Sequence, residues 1–484
     1  MIGRLHSWGT AWKRISLILG LFVAAAPASA FATTYYVDFA TGQDANTGTS
    51  KSAPWAHAPG MAGCSGTCNS VALRAGDSVI FKGGVTWNQT SFPFNIGSSG
   101  STTNPIYFGV DPTWFTGASF TQPIFDAGNT IPSGGSMVVF GASTQGVTFD
   151  NLEVRNMRID NSGGALDHCL IQFMYGATNI TVKNALVHTW SVTTAGKYDQ
   201  MGGICGLGPM TGTVLDHSTV FDDDATSNKV SACTFNIETV SFSTIHDCVE
   251  GVFGGKTAHD NLIYNIYQST DSTAHENALQ VNASGDMAVY NNVIHDVLHG
   301  TCLYALPVSS GTTRIYNNVI WNTVITPINI DPENLASSAH NIQVFNNTAV
   351  PGGSGTTFRV TPRPVAAINT VTLENNLWIT DATAPLDIPA GSVATLLNQS
   401  NTLLTNATAT SQGFVISNQF APASATTSAK GAGLNLSSLG IIPLNSDIKG
   451  LARPAMPTAW DAGGYQFGGT PRPAPSSGLV AVVQ

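Results

Sequence analysis

Charge is scarce in this chain: 10% of its 484 residues are charged, with 19 Lys and Arg against 29 Asp and Glu for a net −10. Without a basic stripe it has nothing to neutralise a row of phosphates, which argues against a nucleic-acid partner. A 3.6-residue apolar period is missing beyond the first 30 residues, which excludes a helical bundle. Beyond that point there is also no apolar run near the roughly 20 residues that a membrane-spanning helix needs. Solubility must therefore rest on Gly, Ser, Thr and Asn. Residues 1–30 read as an export signal, with Arg4, Lys13 and Arg14 ahead of an apolar run from Ile15 to Ala26 and then Ala28-Ser29-Ala30. Cleavage near Ala30 predicts a secreted or periplasmic mature protein.

What fills the chain is one recurring phrase. It reads Thr257-Ala258-His259-Asp260-Asn261-Leu262-Ile263, then Ala288-Val289-Tyr290-Asn291-Asn292-Val293-Ile294, then Arg314-Ile315-Tyr316-Asn317-Asn318-Val319-Ile320. Further copies follow at Val344-Phe345-Asn346-Asn347 and Leu373-Glu374-Asn375-Asn376. Fainter ones precede it at Val240, Leu215, Val182 and Phe149. Each copy is an alternating strand, an Asn turn and a second short strand, at the spacing of a strand-rich solenoid. Asn suits the corner because it tolerates left-handed backbone and can bond to its copy one coil away. A β-sandwich with Asn-rich turns is the alternative, but a sandwich does not bring one phrase back to one corner.

Both ends carry further wording. The mature chain opens on Tyr35-Tyr36-Val37-Asp38, a turn from Gly42 to Thr49, Pro54-Trp55, and Gly76-Asp77 before a strand; it closes on Asp447-Ile448-Lys449-Gly450-Leu451-Ala452-Arg453-Pro454 and Asp461-Ala462-Gly463-Gly464-Tyr465. These phrases resemble the openings and closings of secreted bacterial right-handed parallel β-helix proteins of the pectate-lyase-like superfamily. The resemblance implies an all-β single-stranded solenoid with N- and C-terminal caps. It divides the chain into a signal (1–30), an N-terminal cap and first coils (31–105), coils (106–404), and last coils, cap and loose tail (405–484). Arg453 is expected to pair with Asp461. Cys64 and Cys68, in a Gly/Ser loop, are the expected disulfide. Cys169, Cys205, Cys233 and Cys302 read as a stack of small buried hydrophobes, and Cys248 has no assigned role.

Successive coils lie about 4.8 Å apart, so aligning them on the Asn corner lines up residues distant in sequence. One polar column results, ahead of the following strand: Asp167 and His168, Asp199, Glu250, His275 and Glu276, and His299. Nearby loops add Lys197, Lys256, Asp222, Asp223 and Asp224, and the insertion from Trp190 to Met201 should overhang the same face. Lysis of a uronate polymer needs a cation at the carboxylate, a base for the C5 proton and an acid for the leaving oxygen. The expected chemistry is Lys256, His275 or His299 as base with Glu276, and Lys197 as neutraliser. A Ca²⁺ on Glu250, Asp222 and Asp224 is the other candidate for that charge. Asp167, His168, Asp199 and Trp190 are then expected to bind substrate. The stretch from Glu250 to Asn261 also resembles the Glu…Lys-Ser…Asn stretch of chondroitinase-B-like and alginate lyases, with Glu250 and Lys256 one residue further apart. The competing readings are a surface or adhesion protein whose polar strip only binds glycan, and a glycoside hydrolase with paired carboxylates.

Overall fold

The computed structural model describes residues 32–159, 168–192, 202–208, 210–224, 232–267, 276–333, 335, 340–352, 355–363 and 368–468. Asp167, Lys197, Asp199, His275 and the export signal lie outside these residues. The chain forms the expected parallel β-helix. Sheet 1 has 13 strands, running from Thr34–Val37 to Val393–Gln399. Sheet 2 has 12, from Thr86–Trp87 to Thr402–Leu404, and sheet 3 has 11, from Phe94–Ile96 to Leu386–Asp387. Each coil visits them in that order, and each strand pairs in parallel with its copies in the neighbouring coils. Among the described residues no helix is long and apolar enough to cross a membrane.

Register turns the sequence repeat into a core. In sheet 1, Val182, Leu215, Val240, Ala258, Val289, Ile315, Val344 and Leu373 stack one per coil, all essentially buried. Val154, Val187, Val220, Ile245, Ile263, Ile294 and Ile320 do the same in sheet 2. Each such side chain contributes about 1.5–3 kcal/mol by leaving water. The first coils are filled instead by rings: Phe81, Trp87, Phe94, Phe108 and Phe125 meet mostly edge to face.

The Asn corner between sheets 1 and 2 supplies the specificity. The first Asn of each pair takes left-handed backbone, as at Asn291 (φ 55), Asn317 (φ 55), Asn346 (φ 51) and Asn375 (φ 60). The second points inward, and its Nδ2 donates to the next Oδ1: Asn261 to Asn292, Asn292 to Asn318, Asn318 to Asn347 and Asn376 to Asn401 at 2.9 Å, and Asn347 to Asn376 at 3.0 Å. Upstream the phrase fades because Ser243 and Ser218 hold the same place, accepting from Ser218 N–H and Ala185 N–H at 3.1 Å each. On the outside of sheet 2, His188, Phe221, His246, Tyr264, His295 and Trp321 form one ring stack with centroids 4.5–5.3 Å apart. Its histidines bond to neighbouring carboxylates, His295 to Asp296 at 2.7 Å among them.

The N-terminal edge is covered by the short helix Gly66–Ser70, joined to its own approach by the expected Cys64–Cys68 disulfide. Gly48 (φ +72) lies there against Trp55, whose ring carbon Cε2 would be 2.3 Å from any added Cβ. The other cysteines depart from the expected stack of free thiols. Cys169 bonds to Cys205 and Cys233 to Cys248, which leaves Cys302 as the buried free thiol. Cys169 and Cys205 stand on successive coils, and Cys248 ends a sheet 2 strand beside the sheet 3 strand that holds Cys233, so adjacency in space made bridges where sequence suggested packing. Three bridges accord with an oxidising compartment.

The closing segment turns back along the flank. It covers the outside of sheet 2 with Phe414, Phe420, Ile448 and Tyr465, and that of sheet 1 with Leu444 and Trp460. Asn317 donates to Ser446 O at 2.8 Å and Asn346 to Asp461 O at 2.9 Å. The expected Arg453–Asp461 pairing runs through backbone. Arg453 donates to the carbonyls of Asp461 and Gly463 and to Asn317 Oδ1, while the Asp461 carboxylate accepts from Gly431 and Phe467 N–H. Burial lowers the Arg453 guanidinium to about 10.

Candidate functional site on the outer face of sheet 3

Register defines the outward column of sheet 3 as Gln172, Cys205, Phe235, Phe253, Gln280, Tyr304, Asn329, Arg359 and Asp387. Its chemistry changes along the axis. Cys169, Cys205, Phe235 and Phe253 form a separate apolar cluster, with the two Phe rings stacked at 5.1 Å. From Gln280 onward the column is polar, and it ends on the half-buried Arg359–Asp387 pair at 3.2 Å.

Just ahead of these strands, Glu250, Asn277 and Thr301 occupy equivalent places, because Gly251 N–H donates to Asn277 O and Ala278 N–H to Thr301 O. Glu250 and Glu276 are buried. Asn277 donates to Gln280 Oε1 at 2.9 Å and accepts from Thr301 N–H at 3.2 Å, so this edge is held by neutral hydrogen bonds. Glu276 stands out. It adopts left-handed backbone at φ 54, which a residue without Asn's local hydrogen bonding adopts at a cost of about 1 kcal/mol or more. Its Oε2 meets Nδ1 of His299, whose ring is 47% exposed. A nearly buried carboxylate thus fixes an imidazole that solvent, and a ligand, can still reach.

At the other end of the same strands a second cluster forms. Asp331, 1% exposed, accepts from Tyr304 Oη at 2.5 Å and from Nε and Nη2 of Arg363 at 2.8 and 2.5 Å. Burial raises the Asp331 carboxyl, but hydrogen bonds from Arg363 and Tyr304 outweigh it and the net shift is downward. Burial and the same carboxylate push the Tyr304 phenol upward.

The expected polar column exists in part. His168, Glu250, Glu276 and His299 lie along one edge of sheet 3. His168 is some five coils from His299, roughly 24 Å. Its ring packs on Gly135, and its Nδ1 is buried with no hydrogen-bond partner among the described residues. Three other residues are not brought to this edge. Lys256 follows the strand Glu250–Phe253 and sits beyond its far end, past the turn at Gly254 and Gly255. Asp222 and Asp224 follow the sheet 2 strand Thr219–Phe221, across the corner, with Asp224 N–H donating to Asp222 Oδ1 at 3.2 Å. Burial, Asp247 and Asp222 push the Tyr267 phenol there up to about 12. Glu250, Asp222 and Asp224 form no ligand group, since among the described residues no three acidic, His or Cys side chains converge to hold a metal. Trp190, expected against substrate, is instead fully buried in the main core, because its position in the strand Leu186–Val192 points inward with Met157. Sequence reading missed Asn277, Gln280, Tyr304, Asp331 and Arg363. Counting outward parity from the Asn corner would have found Gln280 and Tyr304.

No family model matches this chain. No curated protein matches it either. Among solved structures it is similar to a pectate lyase, Pel9A, at 14% identity and a TM-score of 0.46, over 90% of this chain and 97% of that one. It is also similar to the GH136 lacto-N-biosidase of Eubacterium ramulus, at 11% identity and 0.43, over 77% and 68%. A rhamnogalacturonan lyase follows at 15% and 0.40, over 76% and 87%. At these values the likeness is one of winding, and the chemistry must be read from the side chains.

Proposed function

We propose that this chain is a carbohydrate-active β-helix protein that cleaves an extracellular acidic polysaccharide by β-elimination on the outer face of sheet 3. The observation that carries the reading is the half-exposed His299 held by Glu276. Neutral imidazole takes the C5 proton of a uronate through Nε2, while Nδ1–H donates to Glu276 and the carboxylate steadies the imidazolium that forms. The C4–O bond breaks as the C4=C5 bond forms, and the departing oxygen takes a proton. The sugar carboxylate needs a positive neighbour, for which Lys197 is the sequence candidate. Half-buried Tyr304 supplies a phenol along the polymer's path, while buried Asn277 and Gln280 brace the strand edge beneath it. Long binding faces of this kind suit a chain of sugars better than a single small molecule.

The test is purified protein with pectate, alginate and chondroitin, following the ultraviolet absorbance of the unsaturated uronate, with and without Ca²⁺. Elimination predicts a rise with one of them, abolished by His299→Ala. New reducing ends without that absorbance would favour a hydrolase, a reading supported by the two buried carboxylates Glu250 and Glu276 on successive coils. Binding without cleavage would make the face a glycan-binding surface.

A further inference from the structure

Lys256, displaced from the edge that holds His299, lines a cavity of about 410 Å³ in the turn between sheets 3 and 1. That volume is in the range of about 300–1,000 Å³ usual for small-molecule sites. Met210 and Val308 give it apolar wall, Asn236 and Asn282 give amides, and Glu238 gives a carboxylate. Glu238 Oε2 accepts from Gly212 N–H, which fixes the carboxyl. The Lys256 ammonium has no hydrogen-bond or ion-pair partner among the described residues, although most described Lys and Arg side chains outside the closing segment are paired to carboxylates.

The backbone here is built for close approach. Gly254 (φ +79) and Gly255 (φ +86) fold the chain over Asn236 and Ile237, and a Cβ on Gly255 would stand 2.0 Å from Ile237 O. That packing delivers Lys256 N–H to Glu238 O at 3.0 Å and sets the side chain at the cavity wall.

We propose that this cavity is a second binding site, separate from the sheet 3 edge, for a carboxylate-bearing sugar residue, with Lys256 as the counter-charge to its carboxylate. The amides and the remaining Glu238 oxygen take the ring hydroxyls, and Met210 and Val308 meet the C–H face. The proposal rests on the acidic-glycan reading but not on elimination. It makes Lys256 an anchor for the polymer rather than the base.

Calorimetry on the full chain carrying His299→Ala, so that nothing is turned over, tests it with trigalacturonate, maltotriose and acetate as probes. Trigalacturonate should occupy a site that Lys256→Met weakens roughly 10- to 100-fold, the worth of one charge-assisted hydrogen bond. Lys256→Arg should retain most of the binding, and maltotriose should bind far more weakly. Unchanged trigalacturonate binding in Lys256→Met would overturn the proposal. So would equal binding of maltotriose, or acetate competing as well as the trisaccharide. Cleavage lost in Lys256→Met, in the His299 background of the native chain, with binding intact would also overturn it, returning Lys256 to the chemistry. Failure of the native chain to cut any polymer bears on the elimination alone.

Discussion

Asn318→Ala should be among the most damaging single changes away from the apolar core. Asn318 is fully buried and makes four side-chain hydrogen bonds: Nδ2 donates to Asn347 Oδ1 and Val289 O at 2.9 Å each, and Oδ1 accepts from Asn292 N–H at 3.0 Å and Asn292 Nδ2 at 2.9 Å. Alanine leaves the Asn292 N–H and the Val289 carbonyl inside a dry corner, each costing about 1–3 kcal/mol. The expected loss is about 3–5 kcal/mol. Asn318→Ser should cost less, since Ser243 already serves the corner three coils upstream, accepting from Ser218 N–H and donating to Ser241 O at 2.7 Å. Asn401→Ala should cost only about 1 kcal/mol, because Asn401 is half-buried at the end of the row and its removal opens that end to water. Guanidinium unfolding followed by circular dichroism should therefore rank the midpoints as native, Asn401→Ala, Asn318→Ser, Asn318→Ala. An Asn318→Ala midpoint level with that of Asn401→Ala would refute the account of the corner.

Four further outcomes are expected. Denaturing, non-reducing alkylation should label one cysteine, Cys302, and all seven after reduction; labelling of three or more before reduction would contradict the Cys169–Cys205 and Cys233–Cys248 bridges. Reduction should also lower thermal stability, since closing the 36-residue separation is worth about 4 kcal/mol in the chain-entropy account. Asp331 has a folded pKa below its ordinary 3.8, so its stabilisation is complete above about pH 4 and is lost as pH falls through the folded value. Asp331→Asn should accordingly flatten the acid limb of a melting-temperature series, and an unchanged slope would remove that assignment. Arg453→Met should loosen the closing segment and speed trypsin cleavage at Lys430, read by gel; an unchanged rate would mean that the carbonyl contacts of Arg453 do not hold it.

The winding was legible because its cause is local and repeated: Asn at a left-handed turn, followed by an inward Asn that meets its own copy. Ser218 and Ser243 dimmed that signal without changing the geometry. The sites were legible only to within an edge. Alignment on the Asn corner fixes which coil a residue occupies, but the strands of sheet 3 are two to five residues long, so Lys256 and Glu250 share a coil and yet stand at opposite ends of a strand. Glu276 and His299 were found because both precede their strands by similar counts. Trp190 was misjudged from the insertion that follows it, though its parity with Met157 sends it inward. The Cys169–Cys205 bridge joins neighbouring coils, a relation that spacing along the chain does not encode.

The closing segment also decides how the molecule would come apart under tension. Residues 434–463 are fastened to Asn317, Asn346 and Asn375, so a pull on the C-terminus meets the solenoid several turns before its end. The load then runs across a seam of parallel hydrogen bonds instead of peeling the final turn, Thr402–Leu404, first. Such a seam resists by shear, and a tethered chain should rupture in one tall step rather than unravel coil by coil.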